Sequence, residues 1–314
     1  MSVMRHVFFV IVFLLLSNHA LANVASVQAS GFVQGFNDVF GECRGHFFDG
    51  QAPMLTGTRG QNLNRDLDAL CFEGFAVLHS GVSRTPLWSA ERLTRERIQN
   101  ARTLARTDSF RSESRLPHGR RAELADYNRS GFDRGHLSPN GDMANANTQY
   151  ESFSLANIAP QNGTHNRNVW RHIETTTRNL TTKYGDVYVV TGVVFATNKV
   201  ERIGGRVLVP SHFFKAVYLP SLNQAAVYYS PNAESPSYEV ISLSELTRRT
   251  GMNVFPALPI PVQDYAYDLP RPNEKGEIAP TGIDMNKIDL TTGSGWLLLG
   301  LEIFKYFISS INQA

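Results

Sequence analysis

The pattern of apolar and polar residues along the chain predicts a mixed α+β protein. Residues 72–79 predict a strand, whereas 89–105 carry good helix formers and predict a helix. Residues 187–195 are apolar and rich in β-branched side chains, which is typical of a buried strand. Two more strands, 206–219 and 224–229, are predicted on either side of a short turn.

Helical spacing is clearest in the second half of the chain. Apolar residues recur at helical intervals over 164–184, and Gly185 stands where a C-terminal cap is expected. A shorter helix is predicted over 242–250, and a proline-rich connector follows Phe255. The apolar segment 296–311 contains two charged residues, so it is either a helix on a membrane surface or one packed against the domain.

The first residues carry a targeting pattern. Arg5 precedes an apolar run over 7–16, and a small-x-small triplet follows at 20–22. This pattern predicts a signal peptide over residues 1–22 and a secreted or periplasmic protein, with no stable membrane insertion after cleavage. The alternative is an uncleaved anchor, although the run is short for a membrane span.

The two cysteines of the chain, Cys43 and Cys71, both follow the predicted cleavage site. An even number of cysteines in an exported protein indicates a disulfide, and the alternative is a pair of buried thiols. The sequence divides into an N-terminal extension over 23–70 tied by this bridge, a main domain over 71–258, and a connector with a C-terminal helix over 259–314.

The formal net charge of +2 does not by itself indicate a nucleic-acid partner. Locally, however, the segment from Arg84 to Arg134 contains twelve arginines against seven acidic residues. It is either a surface that faces phosphates or a solvated helix with ion pairs such as Glu91 with Arg95.

Candidate chemistry begins at Arg134-Gly135-His136. A histidine titrates near neutrality and can act as a base, and an arginine can bind phosphate in a bidentate manner. Residues two apart on a strand share a face, so Arg134 and His136 can point into one cleft. We expect Gly135 between them to leave room for a phosphate backbone.

The predicted helix over 164–184 supplies possible partners. On a regular helix Glu174 lies about 80° from Asn166 and Arg178 about 120°, and Glu174 and Arg178 can pair. Magnesium prefers hard oxygen ligands and keeps several waters, so one amide oxygen with a nearby carboxylate is a plausible site. His165 and His172 lack zinc spacing and are expected to be surface or packing residues.

Two long stretches, 127–143 with its Asp-Arg-Gly-His and 154–174 with its Asn-Ile-Ala-Pro-Gln, resemble the DNA/RNA non-specific endonucleases. That family includes secreted bacterial nucleases and endonuclease G. The resemblance implies a ββα-metal (His-Me finger) core, with a central, mostly antiparallel sheet flanked by helices. It also implies hydrolysis of DNA and RNA phosphodiester bonds without sequence preference.

The resemblance implies roles for individual residues. His136 is the general base, and Asn166 is the direct ligand of Mg²⁺, with Mn²⁺ as the other candidate ion. Glu174 contacts the metal through water, Asn157 helps to fix the catalytic geometry, and Asp133 holds the conformation of the motif.

The remaining roles fall to arginines. Arg134 and Arg178 are implied to contact the substrate phosphate, and a further upstream arginine is either Arg106 or Arg111. A homodimer is left open. Two other functions also remain open, namely a secreted nucleic-acid-binding protein without turnover and a phosphodiesterase acting on another substrate such as a phospholipid.

Overall fold

A computed structural model describes residues 32–196, 200–234 and 237–272, together with Gly300. The predicted signal peptide, most of the C-terminal connector and the apolar segment 296–311, apart from its one residue Gly300, lie outside this range. None of the helices within it is long and apolar enough to cross a membrane.

A seven-stranded, fully antiparallel sheet is the centre of the fold. Its strands, in spatial order, are β13 (Glu239–Ile241), β12 (Gln224–Pro231), β11 (His212–Leu219), β8 (Val187–Val194), β5 (Thr85–Leu93), β4 (Ala76–Ser80) and β3 (Leu67–Cys71). Smaller sheets are formed by β1 (Val33–Gln34), β2 (Met54–Thr56) and β14 (Met252–Asn253), by β6 (Phe132–His136) with β7 (Ile158–Asn162), and by β9 (Arg202–Ile203) with β10 (Val207–Leu208).

Helices cover both faces of the central sheet. They are α1 (Gly57–Leu63), α2 (Arg95–Ala101), α3 (Ala146–Ser152), α4, α5 (Leu243–Thr250) and α6 (Ile260–Asp264). Helix α4 runs over 163–184 and has three parts, Gly163–His165, a π-helical turn Asn166–Trp170 and Arg171–Tyr184. Short 3-10 turns lie at Gly41–His46, Phe48–Gly50, His118–Arg120, Leu124–Tyr127, Asn140–Asp142 and Leu155–Asn157.

The two faces of the sheet bury different partners. On one face, Phe40 and Phe47 of the N-terminal segment pack on Trp88, with ring centroids 5.3 and 6.0 Å from the indole. On the other, Trp170 and Ile173 of α4 pack against apolar residues of β8 and β11. The predicted α+β architecture with an antiparallel sheet between helices is therefore confirmed.

The N-terminal segment is tied to the edge of the sheet by a disulfide between Cys43 and Cys71, whose Cα atoms are 5.7 Å apart. This confirms the bridge expected from the cysteine count. Cys71 is the last residue of β3, so the crosslink joins the segment that covers one face to an edge strand.

The helix predicted over 89–105 is wrong in its first part. Residues 85–93 form strand β5, and the helix is confined to Arg95–Ala101. Pairing with β4 on one side and β8 on the other buries β5, and this tertiary context outweighs the helix propensity of its residues. The strand expected over 206–219 is likewise divided, because Pro210 separates β10 from β11.

The helix expected over 164–184 and the strand expected over 187–195 are confirmed to within a residue. Gly185 follows α4 with φ of 92°, a left-handed conformation that glycine adopts without strain. Strands β6 and β7 followed directly by α4 form a ββα unit, which rests on the sheet through the apolar face of α4.

Candidate active site

The ββα unit places the predicted residues around one cleft. Strands β6 and β7 are antiparallel, with Phe132 opposite Asn162 and His136 opposite Ile158. Asn162 then caps α4, since its Oδ1 accepts hydrogen bonds from the backbone N–H groups of Thr164 and His165. The chain therefore passes directly from β7, which pairs with the histidine strand β6, into the helix that carries Asn166.

His136 lies in an aromatic setting. Its ring centroid is 5.4 Å from that of Phe110 and 5.1 Å from that of Phe153, and its Nε2 is buried without a hydrogen-bond partner in the described residues. The pKa of His136 is lowered from 6.5 to about 3, mainly by burial and further by the charges of Arg106 and Arg134. The imidazole is therefore neutral at neutral pH, the form that accepts a proton.

Two of the predicted arginines flank this ring cluster. The guanidinium carbon of Arg134 lies 4.2 Å from the ring centroid of Phe110, and that of Arg106 lies 5.4 Å from Phe153. Because Arg134 and His136 both contact Phe110, the two residues share a face of β6, as the strand spacing predicts.

Of the two upstream candidates, Arg106 lies closer to the chemistry. Its charge acts on both His136 and Glu174, and within the described residues it forms an ion pair with the exposed Asp108 alone. The Arg111 guanidinium instead lies 3.6 Å from the ring centroid of Tyr150 and donates to the Tyr150 carbonyl at 2.6 Å.

The arginine-rich segment is used mainly for internal contacts. Six of its twelve arginines form ion pairs with carboxylates, namely Arg92, Arg97, Arg106, Arg115, Arg120 and Arg121. The pair expected between Glu91 and Arg95 is wrong, because Glu91 lies on a strand and bonds Arg97 at 2.8 Å.

Asn157 is fully buried and holds the segment after His136. Its Oδ1 accepts from the backbone N–H of Ser138 at 3.0 Å, and its Nδ2 donates to the carbonyls of Ser138 and Ser152 at 2.8 and 3.0 Å. Every polar atom of the side chain is therefore bonded to backbone. Asn157 thereby fixes the backbone that directly follows His136, and its part in the catalytic geometry stays a prediction.

Gly135 leaves room for a side chain of the neighbouring strand. A Cβ at this position would lie 2.2 Å from Oε1 and 2.6 Å from Cβ of Gln161 on β7, a diagonal neighbour of Gly135, whose direct partner is Ala159. The missing side chain therefore makes room for Gln161, and the approach of a phosphate backbone at Gly135 stays a prediction. Gln161 in turn bonds His165 Nδ1 at 2.8 Å, and His165 Nε2 bonds Ser230 at 2.9 Å, so His165 is a buried packing residue, as predicted.

Asn166, the predicted metal ligand, lies in the π-helical turn at the start of α4. Its Nδ2 donates a hydrogen bond to Asp133 Oδ2 at 3.0 Å. A carboxylate only accepts hydrogen bonds, so this contact settles which end of the amide is nitrogen and directs Oδ1 away from Asp133. The π turn also makes the regular-helix angle between Asn166 and Glu174 wrong, because its wider hydrogen-bonding pattern shifts every later residue around the axis.

Glu174 lies two turns further along α4. Burial raises its pKa from 4.5 to about 7, Arg178 and Lys215 oppose the shift, and Asp142 adds to it. Arg178 donates from Nη1 to Asp142 Oδ1 at 2.9 Å and from Nη2 to Thr175 Oγ1 at 3.2 Å. Asp142 is thus the ion-pair partner of Arg178 in the described structure, in place of the Glu174 partner expected from helical spacing.

A group of buried charges beneath the site was missed by sequence reasoning. Lys215 is almost fully buried on β11, and its Nζ donates to Thr191 Oγ1 at 2.6 Å. Glu91 on β5 is equally buried, and its partner Arg97 also donates to the Asp142 carbonyl at 2.7 Å. Lysine and glutamate are rarely buried, so their occurrence within apolar strand segments is a sequence signal for a functional site. Only the strand order, however, shows that the two lie close together.

The residues present fit a divalent cation. Asn166 Oδ1 accepts no hydrogen bond from the described residues, and it is an oxygen held in a fixed orientation on the same helix as a carboxylate. No cluster of three His, Cys, Asp or Glu side chains with metal-binding geometry occurs in the described parts of the chain. One amide oxygen with surrounding water suits a hard ion that retains much of its hydration.

An antiparallel strand pair with a histidine on its first strand, followed by a helix that carries an amide ligand, defines the ββα-metal class of nucleases. This chain belongs to the DNA/RNA non-specific endonuclease family, whose sequence profile matches residues 56–260. The members of this family are metal-dependent nucleases, and the chain is accordingly an enzyme that hydrolyses phosphodiester bonds.

Individual relatives agree with this assignment. Nuclease C1 of Cunninghamella echinulata is 31% identical over 213 residues, which cover 62% of this chain and 84% of the fungal protein. Human mitochondrial endonuclease G is 35% identical over 190 residues, 54% of this chain and 61% of the human one. The solved complex of EndoG with EndoGI superposes with a TM-score of 0.55 at 28% identity, covering 59% of this chain and 84% of that one.

Proposed function

We propose that the protein is an exported endonuclease that hydrolyses DNA and RNA without sequence specificity, with His136 as general base and Mg²⁺ bound by Asn166. The proposal rests on one observation, a neutral and buried His136 on the same strand as Asp133. Asp133 in turn orients the Asn166 amide through a hydrogen bond. Mn²⁺ also takes oxygen ligands in an octahedron and is the other candidate ion.

His136 supplies the base. Its imidazole is neutral at working pH and packs against the rings of Phe110 and Phe153, which restrict its rotation. It takes a proton from the attacking water as the bond to phosphorus forms. Asn157 keeps this ring in place through the backbone of the following residues.

Positive charge is needed where the phosphoryl group gains negative charge in the transition state. The guanidinium of Arg134 is exposed beside His136, and Arg106 is placed to assist it. Arg178 is bonded to Asp142 and acts on the site through its charge, and its contact with phosphate stays a prediction. A divalent cation bound at Asn166 would stabilise the phosphoryl oxygens, and Glu174 would contact the ion through water.

These groups recognise phosphate and not bases, and phosphates carry no sequence information. Cleavage without base preference follows from that chemistry. The same argument covers RNA, because none of the proposed contacts needs the 2′ position of the sugar to be empty.

The proposal is tested with the purified mature protein on supercoiled plasmid and on RNA, in Mg²⁺ and then in excess chelator. We expect cleavage of both substrates in Mg²⁺ only, and a loss on the order of 100-fold or more in His136→Ala. His172→Ala, a histidine on α4 outside the cleft, is the matched control and retains activity. Intact substrate in Mg²⁺, with salt-sensitive binding preserved, would instead identify a binding protein without turnover.

Export is proposed on the targeting pattern of residues 1–22 and on the Cys43–Cys71 disulfide, a bond that persists in oxidising compartments. Mass spectrometry of the protein expressed in its full length should find a mature chain that begins at Asn23. Uncleaved protein that still carries its first 22 residues and stays in the cell pellet would contradict export. Light scattering on the same sample would decide whether the protein forms the homodimer that the sequence leaves open.

A further inference from the structure

Asp133 is bonded by two neighbouring side chains of α4. Asn166 donates its amide nitrogen to Oδ2 at 3.0 Å, and Arg167 donates Nε to Oδ2 at 3.0 Å and Nη2 to Oδ1 at 2.6 Å. The Arg167 guanidinium therefore binds both oxygens of the Asp133 carboxylate. The same carboxylate orients Asn166, the proposed metal ligand.

This geometry restricts the carboxylate more than the asparagine contact alone can. A carboxylate held by one hydrogen bond can rotate about its Cβ–Cγ bond, whereas a two-point contact with a planar guanidinium fixes its plane. The side chain of Asp133 is 21% exposed and that of Arg167 is 74% exposed, so the arginine covers the carboxylate on its solvent side. The opposite side rests against the first turn of α4, where a Cβ on Gly163 would lie 3.6 Å from either oxygen.

We propose that Arg167 is a positioning residue for metal binding. Its two hydrogen bonds hold Asp133 in the orientation that keeps Asn166 Oδ1 toward the cation. This inference rests on the proposed metal site at Asn166. The general cost of removing a partner that orients a metal ligand is about 10–100-fold in metal affinity. Since the Arg167 pair is exposed, we expect the lower end of that range.

The sign of the effect separates this role from simple electrostatics. Removing a positive charge next to a cation site reduces repulsion and would tighten cation binding. Loss of the Arg167 hydrogen bonds lets Asp133 rotate. This frees the Asn166 amide to turn and would weaken cation binding. A third role, direct contact between Arg167 and a substrate phosphate, would leave metal affinity unchanged and raise KM for DNA.

The experiment measures Mg²⁺ binding to the free protein by isothermal titration calorimetry, without nucleic acid. Arg167→Met should weaken binding about 10-fold, and Arg167→Lys should fall between Met and wild type because an ammonium cannot grip both oxygens. Arg171→Met is the matched control, an exposed arginine one turn further along α4 that does not contact Asp133, and its affinity should not weaken. Circular dichroism and the melting temperature, which should be unchanged, confirm that every variant is folded.

Tighter or unchanged Mg²⁺ binding in Arg167→Met would overturn the inference, and so would an equal loss in Arg171→Met. Asn166→Ala is included to test the site itself. If Asn166→Ala binds Mg²⁺ as the wild type does, or if the wild type binds none, the proposed function fails at its metal site. A wild type that binds and an Asn166→Ala that does not, with Arg167→Met unaffected, would refute the role of Arg167 alone.

Discussion

Gly135→Ala tests the finding that the glycine of the motif makes room for a protein side chain. The new Cβ would overlap Oε1, Cδ and Cβ of Gln161 at 2.2, 2.9 and 2.6 Å. The amide end of Gln161 can swing aside, but its Cβ cannot move without the backbone of β7. Overpacking of this kind costs about 1–3 kcal/mol, and loss of the hydrogen bond between Gln161 and His165 costs about 1 kcal/mol more.

The expected result is therefore a decrease of about 2–4 kcal/mol in the free energy of unfolding, measured by urea denaturation in Mg²⁺-free buffer. Gly119→Ala is the matched control, because a Cβ there would meet no atom within 4 Å and the backbone is not left-handed. The double variant Gly135→Ala with Gln161→Ala removes the opposing side chain, so it should be less affected than the sum of its two single variants.

A different outcome would refute this reasoning. If Gly135 is needed for the approach of a phosphate, Gly135→Ala would unfold like the wild type and show only a higher KM for DNA. Additive effects in the double variant would likewise show that the alanine and Gln161 do not collide.

Three further predictions concern the rest of the domain. Reduction of the Cys43–Cys71 disulfide, or its replacement by two alanines, should lower the free energy of unfolding by about 3–4 kcal/mol, as expected for a crosslink between residues 28 apart; urea melts with and without reductant measure this. The pKa of the buried His79 is lowered from 6.5 to about 3, mainly by burial, so the unfolded chain takes up a proton before the native state does. Its stabilising contribution is complete above pH 6.5 and decreases by up to about 1.4 kcal/mol per pH unit as the pH falls toward 3; urea melts across this range should show a shallower pH dependence in His79→Phe. Asn157→Ala removes three buried hydrogen bonds and should cost about 2–4 kcal/mol and lower kcat, whereas Mg²⁺ affinity measured by calorimetry stays near that of the wild type.

Each of these has a clear contrary result. Identical urea melts in the oxidised and reduced protein would remove the disulfide from the stability argument. A pH dependence unchanged in His79→Phe would assign the acid sensitivity to other groups. A loss of metal affinity in Asn157→Ala would mean that this residue acts on the metal side of the site as well as on His136.

Sequence reasoning succeeded where the information is local. The helix over 164–184 follows from a repeating apolar pattern, and the cap at Gly185 follows from the need for a left-handed residue. The disulfide follows from an even count of cysteines in a chain whose first residues carry a targeting pattern. The family resemblance then rested on two motifs in a fixed order, and the match over 56–260 confirms it.

The remaining features depend on contacts between distant parts of the chain. Residues 85–93 form a strand because β4 and β8 pair with them, which no local propensity encodes. Asp142 pairs with Arg178 across 36 positions, and Phe110 comes to His136 from a loop without regular pattern. The absence of a side chain at Gly135 is explained by Gln161, its diagonal neighbour on the paired strand. Such pairings become visible once the strand order is known.

The π-helical turn Asn166–Trp170 has a consequence for how this site tolerates change. Its first residue, Asn166, is oriented by Asp133. Its last residue, Trp170, packs with Ile173 against the sheet. The turn contains one residue more than a regular helical turn, so deleting one residue would restore a regular helix and keep the two ends near their present orientation, whereas inserting another residue would rotate one end against the other by about 100°. After such an insertion either Asn166 would leave the cleft or the indole of Trp170 would leave the core, so this turn should tolerate the loss of one residue but not the gain of one.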